Sequence, residues 1–358
     1  RAGHDGHLAV EGELVEHAHG TSWGGARIVP HACDTSPVLA ALYRSPGPAD
    51  VLTVEDVEAP RPGPGEVRVR LRVAGVNPTD GKLRLRAQPD GFQIPGQDGA
   101  GDIVEVGPDV DASRVGERVW VWFAAARGRR WGSCAQETVV PSRQAVRLPD
   151  GVSYDLGAGL GIPAMTAWHC LFAGGPLDGR TVLVAGGGGS VGNAAVALAR
   201  RAGARVITTS SRSKAHLAEA AGAHVVLDRH ADDLAEQVRG VAPDGVHRVV
   251  EVALGANLAL DLAVLAPHGV VSTYADDPLR DVPVRELMVA NATLAFVMVY
   301  GVADTDLDAA VAGVSAAVAD GALPALPVVR RTLEQVGAAQ DEVLAGAAGK
   351  VLIDLPLG

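Results

Sequence analysis

The chain has 358 residues, 47% of them hydrophobic and 20% charged, which describes a globular protein long enough for two domains with separate cores. A net charge of −11 argues against a general nucleic-acid or anionic-membrane binder, and no apolar run approaches the roughly 20 residues of a membrane span. Three scattered cysteines, Cys33, Cys134 and Cys170, form no C-x-x-C pair and no disulfide framework, so a reducing cytoplasm is the expected location.

Residues 1–35 hold five of the eleven histidines and show no sustained periodicity, so they are read as an irregular N-terminal extension outside the fold. From Ser36 onward short strand patterns alternate with Gly/Pro punctuation. Val67, Val69, Leu71 and Val73 alternate with Arg68, Arg70 and Arg72, as a half-buried strand requires. The stretches 101–107 and 117–122 read the same way, and the region to residue 154 is predicted to be a small β-barrel domain. Trp120, Trp122 and Trp131 are assigned to its core or to a pocket wall.

At Thr181 the pattern changes. An apolar run opens into Gly186-Gly187-Gly188-Gly189-Ser190-Val191-Gly192 and then into an alanine-rich helical pattern. Gly187, Gly189 and Gly192 give G-x-G-x-x-G directly after a strand and at a helix start. Glycines there allow a tight turn and close approach of backbone N–H groups to a pyrophosphate, and the helix N-terminus favours the anion. Ser190 and Val191 fall inside this loop, where the serine hydroxyl is expected to donate to the pyrophosphate.

The next strand, 205–209, ends in Ser210-Ser211-Arg212-Ser213-Lys214. An NAD-binding unit places Asp or Glu about 20 residues past the glycines, to hold the ribose 2′-hydroxyl. Here Ser210, Ser211, Arg212 and Lys214 offer two hydroxyls and two cations instead, so NADPH is the expected cofactor. Further strands near 224–228, 247–252 and 269–274 alternate with helical patterns at 191–202, 213–221, 232–241 and 257–266. That rhythm predicts a doubly wound parallel sheet over 155–296. An amphipathic helix at 306–320 and a tail ending in Gly349-Lys350-Val351-Leu352-Ile353-Asp354 then return to the first domain, giving 36–154 and 297–358 to the barrel.

This order resembles the medium-chain dehydrogenase/reductase superfamily, a Rossmann domain inserted into a GroES-like β-barrel domain. Ala74-Gly75-Val76-Asn77-Pro78-Thr79-Asp80, Pro95-Gly96-Gln97-Asp98-Gly99-Ala100-Gly101 and Gly161-Ile162-Pro163-Ala164-Met165-Thr166-Ala167 are similar to three of its motifs. With Val249-Val250-Glu251 and Gly349-Lys350 they resemble the zinc-free quinone oxidoreductase (zeta-crystallin-like) branch. Zinc alcohol dehydrogenases of the superfamily carry Cys near Asn77 and Gly-His-Glu at Gly96-Gln97-Asp98, and no metal is expected here. Without a Lewis acid the substrate must already be an electrophile, a quinone or an α,β-unsaturated carbonyl.

The resemblance implies that Asn77 positions the substrate or the nicotinamide ribose, that Thr166 lies near the nicotinamide, and that Tyr274 falls where a loop meets the cofactor as a catalytic candidate; a buried aromatic with its hydroxyl satisfied is the equal alternative for Tyr274. Lys82 stands where many relatives have Tyr, and is the candidate donor to the substrate oxygen; a surface lysine is the competing reading. Asp80 either orients Lys82 or caps the helix that starts there. Lys350 reaches the cofactor or simply ends a strand, and residues 296–300 line the pocket. The basic segment Arg127-Gly128-Arg129-Arg130 either greets an anionic substrate or is a solvated loop. Three functions compete: quinone reductase, enone or enoyl reductase of a biosynthetic pathway, and a non-enzymatic cofactor-binding protein. A homodimer or homotetramer is implied by the resemblance.

Overall fold

The structure, a computed structural model, describes residues 36–279 and 281–356; the predicted extension over 1–35 lies outside the described residues. The barrel begins with β1 (Val38–Leu42), β2 (Thr53–Val57) and β3 (Glu66–Gly75), followed by helix α1 (Pro78–Arg86). Strands β4 (Asp98–Val106), β5 (Arg118–Val121), β6 (Glu137–Pro141) and β7 (Ala145–Arg147) complete its first part. Helices α2 (Tyr154–Gly157) and α3 (Gly161–Phe172) then lead out of it.

The second domain alternates strand and helix: β8 (Thr181–Val184), α4 (Ser190–Arg201), β9 (Arg205–Ser210), α5 (Ala215–Ala220), β10 (Val225–Asp228) and α6 (Leu234–Val241). It continues through β11 (Val246–Glu251), α7 (Leu254–Val264), β12 (Leu265–Thr273), α8 (Val284–Ala290) and β13 (Thr293–Phe296). The return segment holds α9 (Asp304–Ala319), β14 (Val328–Thr332), α10 (Val336–Leu344) and β15 (Lys350–Asp354).

The six strands of the second domain are parallel, in the order β10-β9-β8-β11-β12-β13. Chain order reverses on either side of β8, which makes its C-terminal end the place where an open α/β sheet receives a ligand. The tail closes the barrel: β15 pairs antiparallel with β3, placing Leu352 opposite Gly75, and β14 lies parallel beside it. The Rossmann sheet thus interrupts a GroES-like barrel, as the sequence predicts.

One boundary shifts. Leu307, Ala310, Val314, Ala317 and Val318 of α9 are buried in the same core as α3 and α4, so α9 completes a helical layer of the parallel sheet rather than belonging to the barrel. The strand pattern of β3 also has an exception. Arg68, on the arginine face, is 5% exposed because it bonds Glu105 at 2.7 Å and Glu137 at 2.9 Å. No helix among the described residues is long and apolar enough to cross a membrane.

Candidate active site and dinucleotide cleft

A cavity of about 450 Å³ runs along the C-terminal ends of the parallel strands and reaches the barrel. Its sheet side is lined by the turn after β8, by Ser210, Ser211, Lys214 and Arg229, and by Val252 and Tyr274. Its barrel side is lined by Asn77, Pro78 and Lys350.

The turn is built by glycines with separate tasks. Gly186 takes φ +76°, the left-handed region that only glycine enters freely, and turns the chain out of β8. A Cβ on Gly187 would stand 2.2 Å from Thr208 Oγ1, and one on Gly192 would stand 2.2 Å from the Gly186 carbonyl oxygen. Those two glycines therefore serve packing within the turn, and neither lines the cavity. Gly186, Gly188, Gly189, Ser190 and Val191 do line it, with Gly189 capping α4. The Gly189 N–H is spent on the Gly186 carbonyl at 2.9 Å, while the first turn of α4 faces the cavity.

At the far end Ser210 is buried, and Lys214 donates from Nζ to the Ala347 carbonyl at 2.7 Å, reaching across to the barrel segment. Arg212 does not join them. Its side chain is 88% exposed and bonds Asp228 at 2.7 Å, because β10 lies directly beside β9 and presents that carboxylate on the outer side. Arg229, one residue beyond β10, supplies the second cation at this end of the cavity. Sequence reasoning missed it by looking only past β9; two adjacent parallel strands both end at the cleft.

The barrel side is a buried polar network. Lys350 Nζ donates to Asn77 Oδ1 at 3.0 Å and to the Val76 carbonyl at 3.1 Å. Asn77 Nδ2 donates to Asp98 Oδ2 at 2.7 Å, and Asp98 also accepts the Ile162 N–H at the start of α3. An ammonium on one side and a carboxylate on the other allow only one orientation of the Asn77 amide. The Asn77 side chain also accepts from the Asp80 backbone N–H in the capping box of α1, so one N–H of the amide is left for another partner. Gly161 is required beside this network, since a Cβ there would lie 2.1 Å from Asp98 Oδ1. Asp80 accepts the Asn77 N–H at 2.8 Å, so it caps α1 as one of its two sequence readings expects.

All four side chains are at most 5% exposed, and burial dominates the ionisation of the three that titrate, Asp80, Asp98 and Lys350. It pushes the Asp80 carboxyl up to about 7 and Asp98 up to about 6, against hydrogen bonds and the Lys350 charge that pull both down. The same burial lowers the Lys350 ammonium, and the two carboxylates oppose it.

Lys82 corrects the sequence reading. The buried stripe of α1 is Asp80, Gly81 and Arg84; Lys82 falls off that stripe and is exposed. Lys350 occupies the interior position instead. Thr166 is buried on α3, one turn past Ile162 and Pro163, which line the cavity. The half-buried Tyr274 lines the cavity, and burial raises its hydroxyl's pKa, so it remains a neutral phenol. Residues 296–300, expected to line the pocket, are not among the residues lining this cavity: Phe296 stands 68% exposed on β13, and Tyr300 is half-buried beside Thr79.

The basic segment is internally paired. Arg127 bonds Asp304 at 3.0 Å, Arg129 donates to the Phe123 carbonyl at 2.5 Å and to Gln144 at 2.6 Å, and Arg130 lies over the Phe92 ring. Trp120 and Trp122 are buried in the core, and Trp131 packs against the barrel interior.

A glycine turn at the switch point of a parallel sheet, set against a GroES-like barrel, is the arrangement that receives a dinucleotide at a helix N-terminus. Two family models match in the same order, the alcohol dehydrogenase GroES-like domain over residues 63–150 and zinc-binding dehydrogenase over 190–315. The chain belongs to the medium-chain dehydrogenase/reductase superfamily, with quinone oxidoreductases among its relatives.

A zinc-type alcohol dehydrogenase-like protein of Schizosaccharomyces pombe is 38% identical over 42% of this chain and 44% of its own length, so the match spans less than half of that relative. Human quinone oxidoreductase is 25% identical over 86% of this chain and 94% of its own. A phenolphthiocerol/phthiocerol polyketide synthase of Mycobacterium tuberculosis is 30% identical over 87% of this chain, a match that covers 14% of the synthase chain. Among solved structures, AibC superposes with TM-score 0.80 at 26% identity over 95% of this chain and 100% of its own. A mycobacterial protein complexed with NADPH gives 0.76 at 27% identity over 89% and 100%.

The residues fit a dinucleotide and do not fit zinc. Asn77 is committed to Lys350 and Asp98, Gln97 stands where a histidine ligand is needed, and no three His, Cys, Asp or Glu side chains among the described residues cluster to hold a metal.

Proposed function

We propose that the protein is a zinc-independent cytoplasmic reductase that uses NADPH to reduce a quinone. The observation that carries this reading is the continuous cavity joining a cationic end, Lys214 and Arg229, to the Asn77–Lys350 floor. When bound, the dinucleotide supplies the hydride. Ser210, Ser211, Lys214 and Arg229 hold its 2′-phosphate, and the first turn of α4 receives the pyrophosphate. Thr166 and Tyr274 flank the nicotinamide. Asn77, fixed by Lys350 and Asp98, turns its free N–H toward the substrate or the ribose. Fixed orientation of this kind supplies rate by proximity, without ionising an alcohol.

A second reading, reduction of an enone or enoyl group in a biosynthetic pathway, is favoured by the likeness to a polyketide synthase over most of this chain. The test is oxidation of NADPH and of NADH with a simple quinone and with a simple enone, each with and without a metal chelator. Chelator-insensitive quinone turnover that prefers NADPH supports the first reading. Turnover of the enone alone transfers the assignment to the second. Chelator-sensitive activity overturns the zinc-independent site.

The oligomer is assigned to a second copy at the edge of the parallel sheet. There β13 is the last strand, and Met288, Val289, Phe296 and Met298 beside it are 68–74% exposed. Sedimentation of a Phe296→Asp variant, expected as a monomer against an oligomeric parent, checks this.

A further inference from the structure

Tyr300 lies in the short turn Val299–Gly301, where the chain leaves the parallel sheet, and its hydroxyl stands 3.3 Å from Thr79 Oγ1. Thr79 is in the first turn of α1, next to the Pro78 that lines the cavity. A strong O–H···O bond spans about 2.5–3.0 Å, so these two hydroxyls hold each other weakly and keep capacity for a third oxygen.

The Tyr300 ring is held firmly. It packs on Phe123 with centroids 4.7 Å apart, and Phe123 packs edge-on against Trp122 at 4.9 Å. Phe123 adopts φ +56°, a conformation that bulky side chains rarely take, and strained backbone of this kind gathers at functional sites. Arg129 maintains it by bonding the carbonyls of Phe123 and Ala124 at 2.5 and 3.1 Å. Burial, followed by the Asp80 carboxylate, raises the pKa of the Tyr300 hydroxyl, which therefore stays a donor across the working pH range.

We propose that Tyr300 and Thr79 together anchor the reacting oxygen of the substrate, the carbonyl oxygen of a quinone or enone. The anchor rests on the reductase reading and deepens it. The Tyr300 O–H, exchanging its long bond to Thr79 Oγ1 for one to the substrate, and the Thr79 O–H beside it stabilise the negative charge that this oxygen gains during reduction. Lys350 in the adjoining network offsets the Asp80 and Asp98 carboxylates. No proton moves within the anchor: Tyr300 remains a phenol, and the reduced oxygen takes its proton from water.

The test uses Tyr300→Phe, which keeps the ring on Phe123, and Thr79→Val. Two readouts are taken, quinone kinetics and titration of 4-nitrophenolate, a coloured oxyanion, into the protein with NADP⁺. Tyr300→Phe is expected to lower kcat about a hundredfold and weaken 4-nitrophenolate about tenfold, with NADPH affinity unchanged. Thr79→Val shows smaller losses, and the double variant loses less than the product of the two. Wild-type affinity for 4-nitrophenolate and wild-type kcat in both variants overturn the anchor, as does a parent protein that does not bind the probe. A parent that binds the probe through Tyr300 yet reduces neither quinone nor enone overturns the reductase reading and leaves the anchor standing.

Discussion

The two walls of the cleft are made in opposite ways. The dinucleotide wall is a run of consecutive residues, Gly186 to Val191, whose backbone does the work once Gly187 and Gly192 let the turn close. The barrel wall is assembled from side chains far apart in sequence, with Lys350 and Asn77 separated by 273 positions. A local wall can lose its ligand without losing the fold. A distributed wall of buried charges cannot lose a member without leaving another unpaired. Specificity on the first side is therefore open to change, while the second ties function to stability.

The largest effect expected from that contrast is on stability. Lys350→Met leaves the Asn77 amide and Asp98 without their cation and should cost about 3–5 kcal/mol in denaturant unfolding. Lys82→Met, on the exposed face of α1, should stay within about 0.5 kcal/mol. Equal effects would erase the distinction between the two lysines.

On the other wall, a Cβ at Gly188 would stand 2.6 Å from Lys214 Cβ and intrude on the cavity. Gly188→Val should weaken NADPH about a hundredfold, about 2.8 kcal/mol, with a smaller loss of stability than Lys350→Met; fluorescence titration and unfolding together check this. Removing Lys214 and Arg229 together should weaken NADPH about tenfold or more and leave NADH unchanged. Arg212→Ala, already paired with Asp228 outside the cavity, should change NADPH affinity by less than about twofold.

The smallest effect is on the pH dependence of stability. Asp80 and Asp98 are raised to about 7 and about 6 by burial, above the unfolded carboxyl near about 4. The folded state binds their protons more tightly. Their contribution is therefore full below about pH 4 and is lost as pH rises through about 6–7. Asp80→Asn, whose amide oxygen still accepts the Asn77 N–H, should flatten that fall between about pH 5 and pH 7.5 in unfolding midpoints. An unchanged slope would remove Asp80 from the ionising network.

The same contrast explains what the sequence revealed. The glycine turn, the parallel strands and the return of β15 were legible because each is written in neighbouring residues or in a two-residue period. Ser210, Ser211 and Lys214 were legible for the same reason. Arg229 was not, because its proximity depends on β10 lying beside β9 rather than on chain distance. Lys82 looked active from its place in a motif, yet the helical period of α1 turns it away. The role of Lys350 and the meeting of Tyr300 with Thr79 depend on tertiary contacts more than 200 residues long, which no local pattern encodes. The placement of α9 escaped as well, since an amphipathic helix shows that it has a partner without saying which.

The proposed preference for NADPH rests on the cationic end of the cavity, Lys214 and Arg229. The most direct measurement is paired calorimetric titration of NADPH and NADH into the parent protein and into the Lys214→Ala, Arg229→Ala double variant. The account predicts NADPH binding at least about tenfold tighter than NADH in the parent, with the difference lost in the variant. Equal affinities in the parent, or a preference that survives the double substitution, would contradict it.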